Sequence, residues 1–151
     1  MTDWQSQFAS KLTSAQRALQ RVRNGSRVFL GANAAVPRSL VAALVARDDL
    51  AEIEIVHMLS FADAPYADRA LAGRFRHNAF FIGANTRGAV HAGLADYTPG
   101  HLHDLGRMFA DERLPIDVAL IQVSPPDERG FCTFGVETNI VKAAAENAAL
   151  V

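Results

Sequence analysis

The sequence predicts an α/β domain built on an open, mainly parallel sheet flanked by helices. Short runs of β-branched and aromatic residues alternate with segments of helical periodicity. The runs are nearly continuous in apolar character, as strands covered on both faces are. Size sets a third bound: 151 residues, 50% of them hydrophobic, supply one full core but not two, so residues 1–151 are read as one domain.

Within residues 1–25, Phe8, Leu12, Ala15, Leu19 and Val22 recur at three- and four-residue spacings, which predicts a leading amphipathic helix over 3–23 with Asn24-Gly25 as its left-handed stop. RVFLG (27–31) reads as a strand. Pro37 stands where a first helical turn tolerates a missing N–H, ahead of Leu40, Val41, Leu44 and Val45. The unit then repeats. AEIEIVHMLS (51–60) is a strand, FADAPYADRALAGR a long loop with helical pieces, and NAFFIG (78–83) a strand. TRGAVHAGLA is helical, and Thr98-Pro99 reads as cap and first turn of a helix carrying Leu102, Leu105, Met108 and Phe109. PIDVALIQVS (115–124) is the clearest buried strand, and ETNIVKAAAENA (137–148) the helix after it. Ala149, Leu150 and Val151 resemble the opening of a further strand, so the chain is read as a segment of a longer polypeptide.

Composition narrows the partners. Fifteen basic against sixteen acidic residues, with no Lys/Arg block, leave nucleic acid without an electrostatic footprint to grip. Apolar stretches break well before the roughly 20 residues a bilayer span requires, so no membrane partner is expected. MTDWQSQF lacks the basic start and apolar centre of a secretion signal, and a cytoplasmic protein is expected. The single cysteine, Cys132, makes no internal disulfide, which fits a reducing compartment.

Ligands of such sheets collect at the carboxyl ends of the strands. Four loops matter there: GANAAVP after the first strand, LSFADAP after the second, GANTRG after the third and SPPDERGFCTFG after the fourth. Gly31 opens the first beside a helix start, where a missing Cβ lets a ligand approach backbone N–H groups. The spacing matches neither a dinucleotide fingerprint nor a phosphate loop, and a plain strand-to-helix connection explains the loop equally well. Asn85 and Thr86 offer hydrogen bonds; Arg87 reads as a surface residue of a helical first turn. In the fourth loop Pro125 and Pro126 stiffen the strand exit, Gly130 and Gly135 permit turns, and Asp127 caps its own backbone. His101 and His103 lie two apart, on different sides of a helix, with no third ligand at a usable spacing, so no metal site is expected. His57 reads as a satisfied core histidine, and His77 and His91 have nothing distinctive. No Ser-His-Asp or Cys-His arrangement is present in the spacings, and no glutamate is singled out as a nucleophile.

Three ordered blocks, NGSRVFLGANAAVPRSLVAAL, HNAFFIGANTRGAVHAGLADYTP and LPIDVALIQVSPPDERGFCTFGVETN, resemble the amino-terminal half of the acetyl-CoA hydrolase/transferase family. The similarity runs from about residue 15 onward. It implies a CoA-transferase-type fold, akin to sugar-phosphate isomerases, two of which pair around an active site. It also implies a reaction. A glutamate attacks an acyl-CoA, a glutamyl-CoA thioester follows through a mixed anhydride, and an incoming carboxylate takes the CoA. The nucleophile belongs to the carboxyl-terminal half, and no Ser-Glu-Asn-Gly type of signature occurs in these residues, so no catalytic residue is assigned here and the segment alone is expected to be inactive.

By resemblance, Gly31, Ala32 and Asn33 line the acyl side of the pocket, although this loop lacks the second glycine and the phenylalanine of the broader signature. Ser60, Asn85 and Thr86 are the other substrate-binding candidates. Ser124, Pro125, Asp127 and Gly130 are read as pocket wall and domain contact, with Phe131 and Phe134 packing across that boundary. The expected partners are an acyl-CoA, a small carboxylate, the carboxyl-terminal half and further copies of the chain, with coenzyme A thioester as substrate and no permanently bound cofactor. Transfer and hydrolysis are both open, and the alternative is a non-catalytic metabolite-binding or assembly module of the same fold.

Overall fold

The computed structural model describes residues 3–151. Five strands, β1 (Arg27–Leu30), β2 (Ile53–His57), β3 (Phe75–Ala79), β4 (Ala95–Tyr97) and β5 (Val118–Leu120), form one sheet in the order β4-β3-β2-β1-β5. Every pairing is parallel. The helices are α1 (Asp3–Lys11), α2 (Ala15–Leu19), α3 (Arg38–Val45), α4 (Ala84–His91), α5 (Leu102–Ala110) and α6 (Val141–Asn147), with two 3-10 turns at Pro65–Ala67 and Arg69–Leu71.

Alternation along each strand sends side chains to two cores. Val28, Leu30, Ile53, Ile55 and Phe75 pack with Leu19, Val41 and Leu44 of α2 and α3 on one face. Phe29, Val56, Phe80 and Ala119 pack with Leu105, Phe109, Val141 and Ala144 of α5 and α6 on the other. Phe29 and Phe109 meet edge to face at 5.8 Å between ring centroids. Below this second core the sheet carries polar groups instead. Arg27 Nε donates to Glu54 at 2.6 Å, Asn78 Nδ2 donates to the other Glu54 oxygen at 2.8 Å, and Thr98 Oγ1 donates to Asn78 Oδ1 at 2.8 Å, so one hydrogen-bonded row crosses the sheet.

Several elements depart from the sequence expectation. Two helices stand where one amphipathic stripe runs, because Ser14 interrupts it and accepts a hydrogen bond from the Arg17 N–H at 3.2 Å, capping α2. Leu19 and Val22 are buried, whereas Phe8 and Leu12 stay exposed. Strand β3 begins at Phe75 and not at Asn78, since the exposed Arg76 pairs with Asp96 of the neighbouring β4 and does not interrupt pairing. Ala95–Tyr97, where the sequence suggests the end of a helix and no strand, is the edge strand β4. Thr98 caps no helix; its hydroxyl is held by Asn78, and α5 starts at Leu102. Strand β5 spans three residues, and α6 starts at Val141, which leaves Glu137 in the loop before it.

Leu150 forms a parallel bridge with Val118, and the Ala119 N–H donates to Leu150 O at 2.8 Å. The chain thus extends the sheet beyond β5, as the apolar residues 149–151 suggest.

Leu44 is fully buried against α2 and the sheet. Leu44→Ala is expected to cost about 2–5 kcal/mol and Phe109→Ala about 3–5 kcal/mol of unfolding free energy. Urea denaturation checks both; a loss well under about 1 kcal/mol at either site would contradict the two-core packing.

Candidate functional site

From β1 the chain moves outward through β2, β3 and β4, then returns to the other side of β1 as β5. The loop after β1 turns towards α3 on one face, and the loop after β5 turns towards α6 on the other. Between them the carboxyl edge opens into a crevice, the place where open parallel sheets take ligands. An open cleft of about 730 Å³ lies there, lined by Ala34, Val36, Pro37 and the start of α3 on one wall and by Ile121, Gln122 and Val123 on the other.

Gly31 sits at the base. Its N–H donates to Leu120 O at 2.9 Å, and an added Cβ would lie 3.1 Å from Ala35 O, so the crossing is tight. Ala32 is buried. Asn33 takes a left-handed backbone conformation (φ 51°), which asparagine tolerates better than most residues. Its N–H donates to Leu59 O at 2.7 Å and its O accepts from the Phe61 N–H at 3.2 Å, pairing it with Ser60 across to the loop after β2. Ser60 is buried, with Oγ accepting from the Ala62 N–H at 3.3 Å. Asn85 donates to Ala62 O at 2.6 Å and borders a second, smaller cavity of about 290 Å³ with Asp63 and Asp68. Three of the predicted residues, Asn33, Ser60 and Asn85, are therefore joined through residues 59–62. Thr86 is not part of this set: it is 1% exposed, turned inward at the first turn of α4.

The fourth loop folds on itself. Ser124 N–H donates to Thr133 O at 2.9 Å, Thr133 N–H to Ser124 Oγ at 3.0 Å, and Asp127 N–H to Phe131 O at 2.9 Å. Asp127 Oδ1 accepts from the N–H groups of Arg129 (2.8 Å) and Phe131 (2.9 Å), a turn-forming role. Gly130, at φ 87°, lies flat against the Trp4 ring of α1. Pro125 is exposed. Phe131 is 70% exposed, whereas Phe134 packs against the core of this chain. Phe61, Phe81, Val123 and Val136 add further exposed apolar surface along the same edge.

Glu137 escaped the sequence reading. It is 2% exposed; one carboxylate oxygen accepts from Asn33 Nδ2 and the other has no partner among the described residues. The helical look of ETNIVKAAAENA concealed it, and an acidic residue ahead of the true helix start was the available signal.

His77 was also missed. Its ring is wholly buried, stacked on His57 at 4.3 Å between centroids, with neither nitrogen hydrogen-bonded. His57 is satisfied: Nδ1 faces Met58 O, so Nε2 accepts from Tyr66 Oη at 2.6 Å. Burial lowers His57 to about 4, opposed by the Met58 carbonyl. Burial, then the neighbouring His57, lowers His77 to about 3. Burial pushes the Tyr66 phenol up. His101 and His103 stack at 5.6 Å on the surface, and among the described residues no three His, Cys, Asp or Glu side chains converge as metal ligands. Cys132 is exposed, and no helix among these residues is long and apolar enough to cross a membrane.

Residues 1–151 match the model of the acetyl-CoA hydrolase/transferase N-terminal domain. The chain belongs to this family. It is 43% identical over 150 residues to the 4-hydroxybutyrate coenzyme A transferase of Clostridium kluyveri, covering 99% of this chain and 35% of that protein. It is 35% identical over 130 residues to the succinyl-CoA:acetate/propanoyl-CoA:succinate CoA transferase of Fasciola hepatica, covering 84% of this chain and 27% of that protein. Among solved structures it resembles the 4-hydroxybutyrate CoA-transferase from Porphyromonas gingivalis (TM-score 0.77, 31% identity, 97% of this chain and 33% of that one). It also resembles RipA from Yersinia pestis (TM-score 0.87, 25% identity, 97% and 37%). The chain spans about a third of the length of these family relatives.

Two expectations follow from the site. Gly130→Ala adds a Cβ 2.9 Å from Trp4 Cγ in a backbone region that L residues avoid. It should part the loop tip from α1, destabilise by about 1 kcal/mol or more and red-shift the emission of Trp4, the single tryptophan; unchanged fluorescence would contradict the contact. Because the folded histidines sit below the unfolded value near 6.5, their contribution is complete above pH 6.5. It falls as pH drops towards 4, by up to about 1.4 kcal/mol per pH unit for each ring. His77→Phe should flatten this decline in urea unfolding measured from pH 7 to pH 4; an unaltered slope would show that other groups govern it.

Proposed function

We propose that this domain forms one wall of the active site of a CoA-transferase that moves CoA between a short acyl-CoA and a carboxylate. The observation that supports it best is the crevice at the β1/β5 switch point, whose edges are two of the loops that lie within the blocks of family likeness. In this reading the acyl chain lies along Gly31–Asn33, and Ser60 and Asn85 hold the neighbouring loops in register. Thr86 acts only from beneath, by packing. Ser124, Pro125, Asp127 and Gly130 form a folded flange that meets the carboxyl-terminal half.

The nucleophile is a glutamate of that half. Its carboxylate oxygen bonds to the acyl carbonyl carbon as the thioester C–S bond breaks, giving a mixed anhydride and CoA thiolate. The thiolate then attacks the glutamyl carbonyl and the acid departs. A second carboxylate repeats these steps in reverse and leaves with CoA. Water reaching the glutamyl thioester instead would make the enzyme an acyl-CoA hydrolase. We place the protein in the cytoplasm, as a homo-oligomer without a resident cofactor.

The test uses the full-length polypeptide, incubated with acetyl-CoA and then reduced with borohydride. Peptide mass mapping should find one glutamate converted to its alcohol, and in a separate reaction the same protein should transfer CoA from acetyl-CoA to a carboxylate acceptor. Transfer without a modified glutamate would overturn the thioester route; no turnover of any acyl-CoA would overturn the enzymatic reading in favour of a binding module.

A further inference from the structure

We propose that Trp4 is a positioning residue of the crevice: it seats the tip of the fourth loop and thereby fixes the cleft wall made by residues 121–123. This rests on the transferase reading above, in which the cleft receives the acyl-CoA.

Strand β5 ends at Leu120, and the backbone groups of Ile121, Gln122 and Val123 make no hydrogen bond among the described residues. Ile121 packs against the second core, whereas Gln122 and Val123 are exposed. These three residues form one wall of the cleft of about 730 Å³. The wall is therefore a free span, and its course depends on what holds its two ends. One end is the sheet. The other is a closed hairpin, in which Ser124 N–H donates to Thr133 O, Thr133 N–H to Ser124 Oγ, and Asp127 N–H to Phe131 O. Val123 is one peptide bond from this hairpin, so it follows any change in the hairpin's tilt.

Phe134 pins the base of the hairpin by packing on the core. A body held at one point still pivots, and its tilt is set only by a second contact far from the first. Trp4 supplies that contact at the tip. A Cβ placed on Gly130 would lie 2.9 Å from Trp4 Cγ and 3.1 Å from Cδ2, so the ring fills the space of a side chain there. Gly130 is accordingly half-buried, while Glu128, Arg129 and Phe131 around it are exposed. An isolated hairpin is marginally stable in water, and a broad indole face is a suitable seat for one. The rest of α1 makes no comparable contribution to the fold. Residues 5–14 are exposed, Phe8 and Leu12 among them, and none belongs to either core. A helix that adds nothing to the cores but lays one ring on a loop tip acts as a brace for that loop.

The experiment compares the full-length protein with its Trp4→Ala, Trp4→Phe and Phe8→Ala variants. CoA transfer from acetyl-CoA to a carboxylate gives KM and kcat, and hydrogen exchange read by peptide mass reports the amides of residues 124–133. Trp4→Ala should raise the KM for acetyl-CoA about tenfold and leave kcat within about twofold, the pattern of binding lost equally from ground and transition states. Exchange should quicken in the hairpin peptide and stay unchanged in the peptides of β1 and β5. Trp4→Phe, which keeps a ring, should restore most of the KM. Phe8→Ala, exposed on the same helix, should match the wild type in both readouts. A merely structural Trp4 would lower kcat through a smaller folded fraction, leave KM intact and quicken exchange in the sheet as well, and would overturn the inference. Quickened hairpin exchange with an unchanged KM would uncouple the hairpin from the wall and overturn it while the transferase reading stands. An equal effect of Phe8→Ala would assign the effect to the helix at large and overturn the role of Trp4. Should Trp4→Ala fail to fold, the KM and hairpin exchange of Trp4→Phe decide, wild-type values in both overturning the inference unless Phe is a full substitute, which Trp4→Leu, lacking a ring, then tests by the same two readouts. Absence of transfer by the wild type to every acid would instead overturn the transferase reading, and the inference with it.

Discussion

The parallel pairing of β1 with β5 is the constraint on which the rest depends. Val28, Phe29 and Leu30 pair with Val118, Ala119 and Leu120, although some 90 residues separate the strands. That pairing reverses the direction in which strands are added, and it alone sends two consecutive carboxyl-end loops to opposite faces. Without it the sheet would have an edge at β1 and no crevice. Its register also fixes the height of the walls, since the Gly31 N–H bonds to Leu120 O immediately above the last paired residues. Loop-closure entropy opposes so distant a contact, and the two cores offset it: Phe29 and Ala119 share one, Val28 and Val118 the other.

Polar groups inside this framework fall into two kinds. The row from Arg27 through Glu54 and Asn78 to Thr98 is hydrogen-bonded throughout and partly buried, and a satisfied network of that kind specifies register at little cost. His77 and Glu137 are different, because each keeps at least one buried polar atom without a partner among the described residues. A neutral imidazole tolerates this better than a carboxylate does, and stacking on His57 replaces hydrogen bonds with ring contact. Glu137 has no such substitute beyond Asn33. An energetic debt of that sort is retained where the group does something that packing alone would not.

The strands of the interior were legible because two-sided burial leaves a run of apolar residues that no surface element imitates; RVFL and IEIVH are of this kind. Edge elements were not. β4 is three residues, Ala95, Asp96 and Tyr97, of which only the first is buried, so it carries neither an apolar run nor a clear alternation. At β3, Arg76 and His77 obscured the strand because one is paired with Asp96 of β4 and the other is hidden as a buried ring, circumstances that only the neighbouring strands create. The loops at the carboxyl edge could be located from strand order alone, and Asn33, Ser60 and Asn85 fall together there. Thr86 could not be separated from Asn85, its neighbour, without knowing where the first turn of α4 points. Glu137 was hidden in a helix-like run, and its position ahead of the helix was a weak signal, since its burial follows from Asn33, more than 100 residues earlier in the chain.

The edge of the crevice is preset by backbone bonds, with side chains such as Asp127 and Ser124 reinforcing them. Asn33 is held by Leu59 and Phe61, Gly31 by Leu120, Ser124 by Thr133 and Asp127 by Phe131, so the loops keep their course without a ligand and the ordering cost is met during folding. Preorganised groups of this kind need no rearrangement when charge develops on a bound substrate. What the edge lacks is cover. Phe61, Phe81, Phe131 and Val136 leave apolar surface beside the cleft in contact with water, and a reactive acyl intermediate held there would be exposed to hydrolysis. On the transferase reading, the surface that covers these side chains therefore decides between transfer to a carboxylate and loss to water, while the loops described here decide which acyl chain is offered.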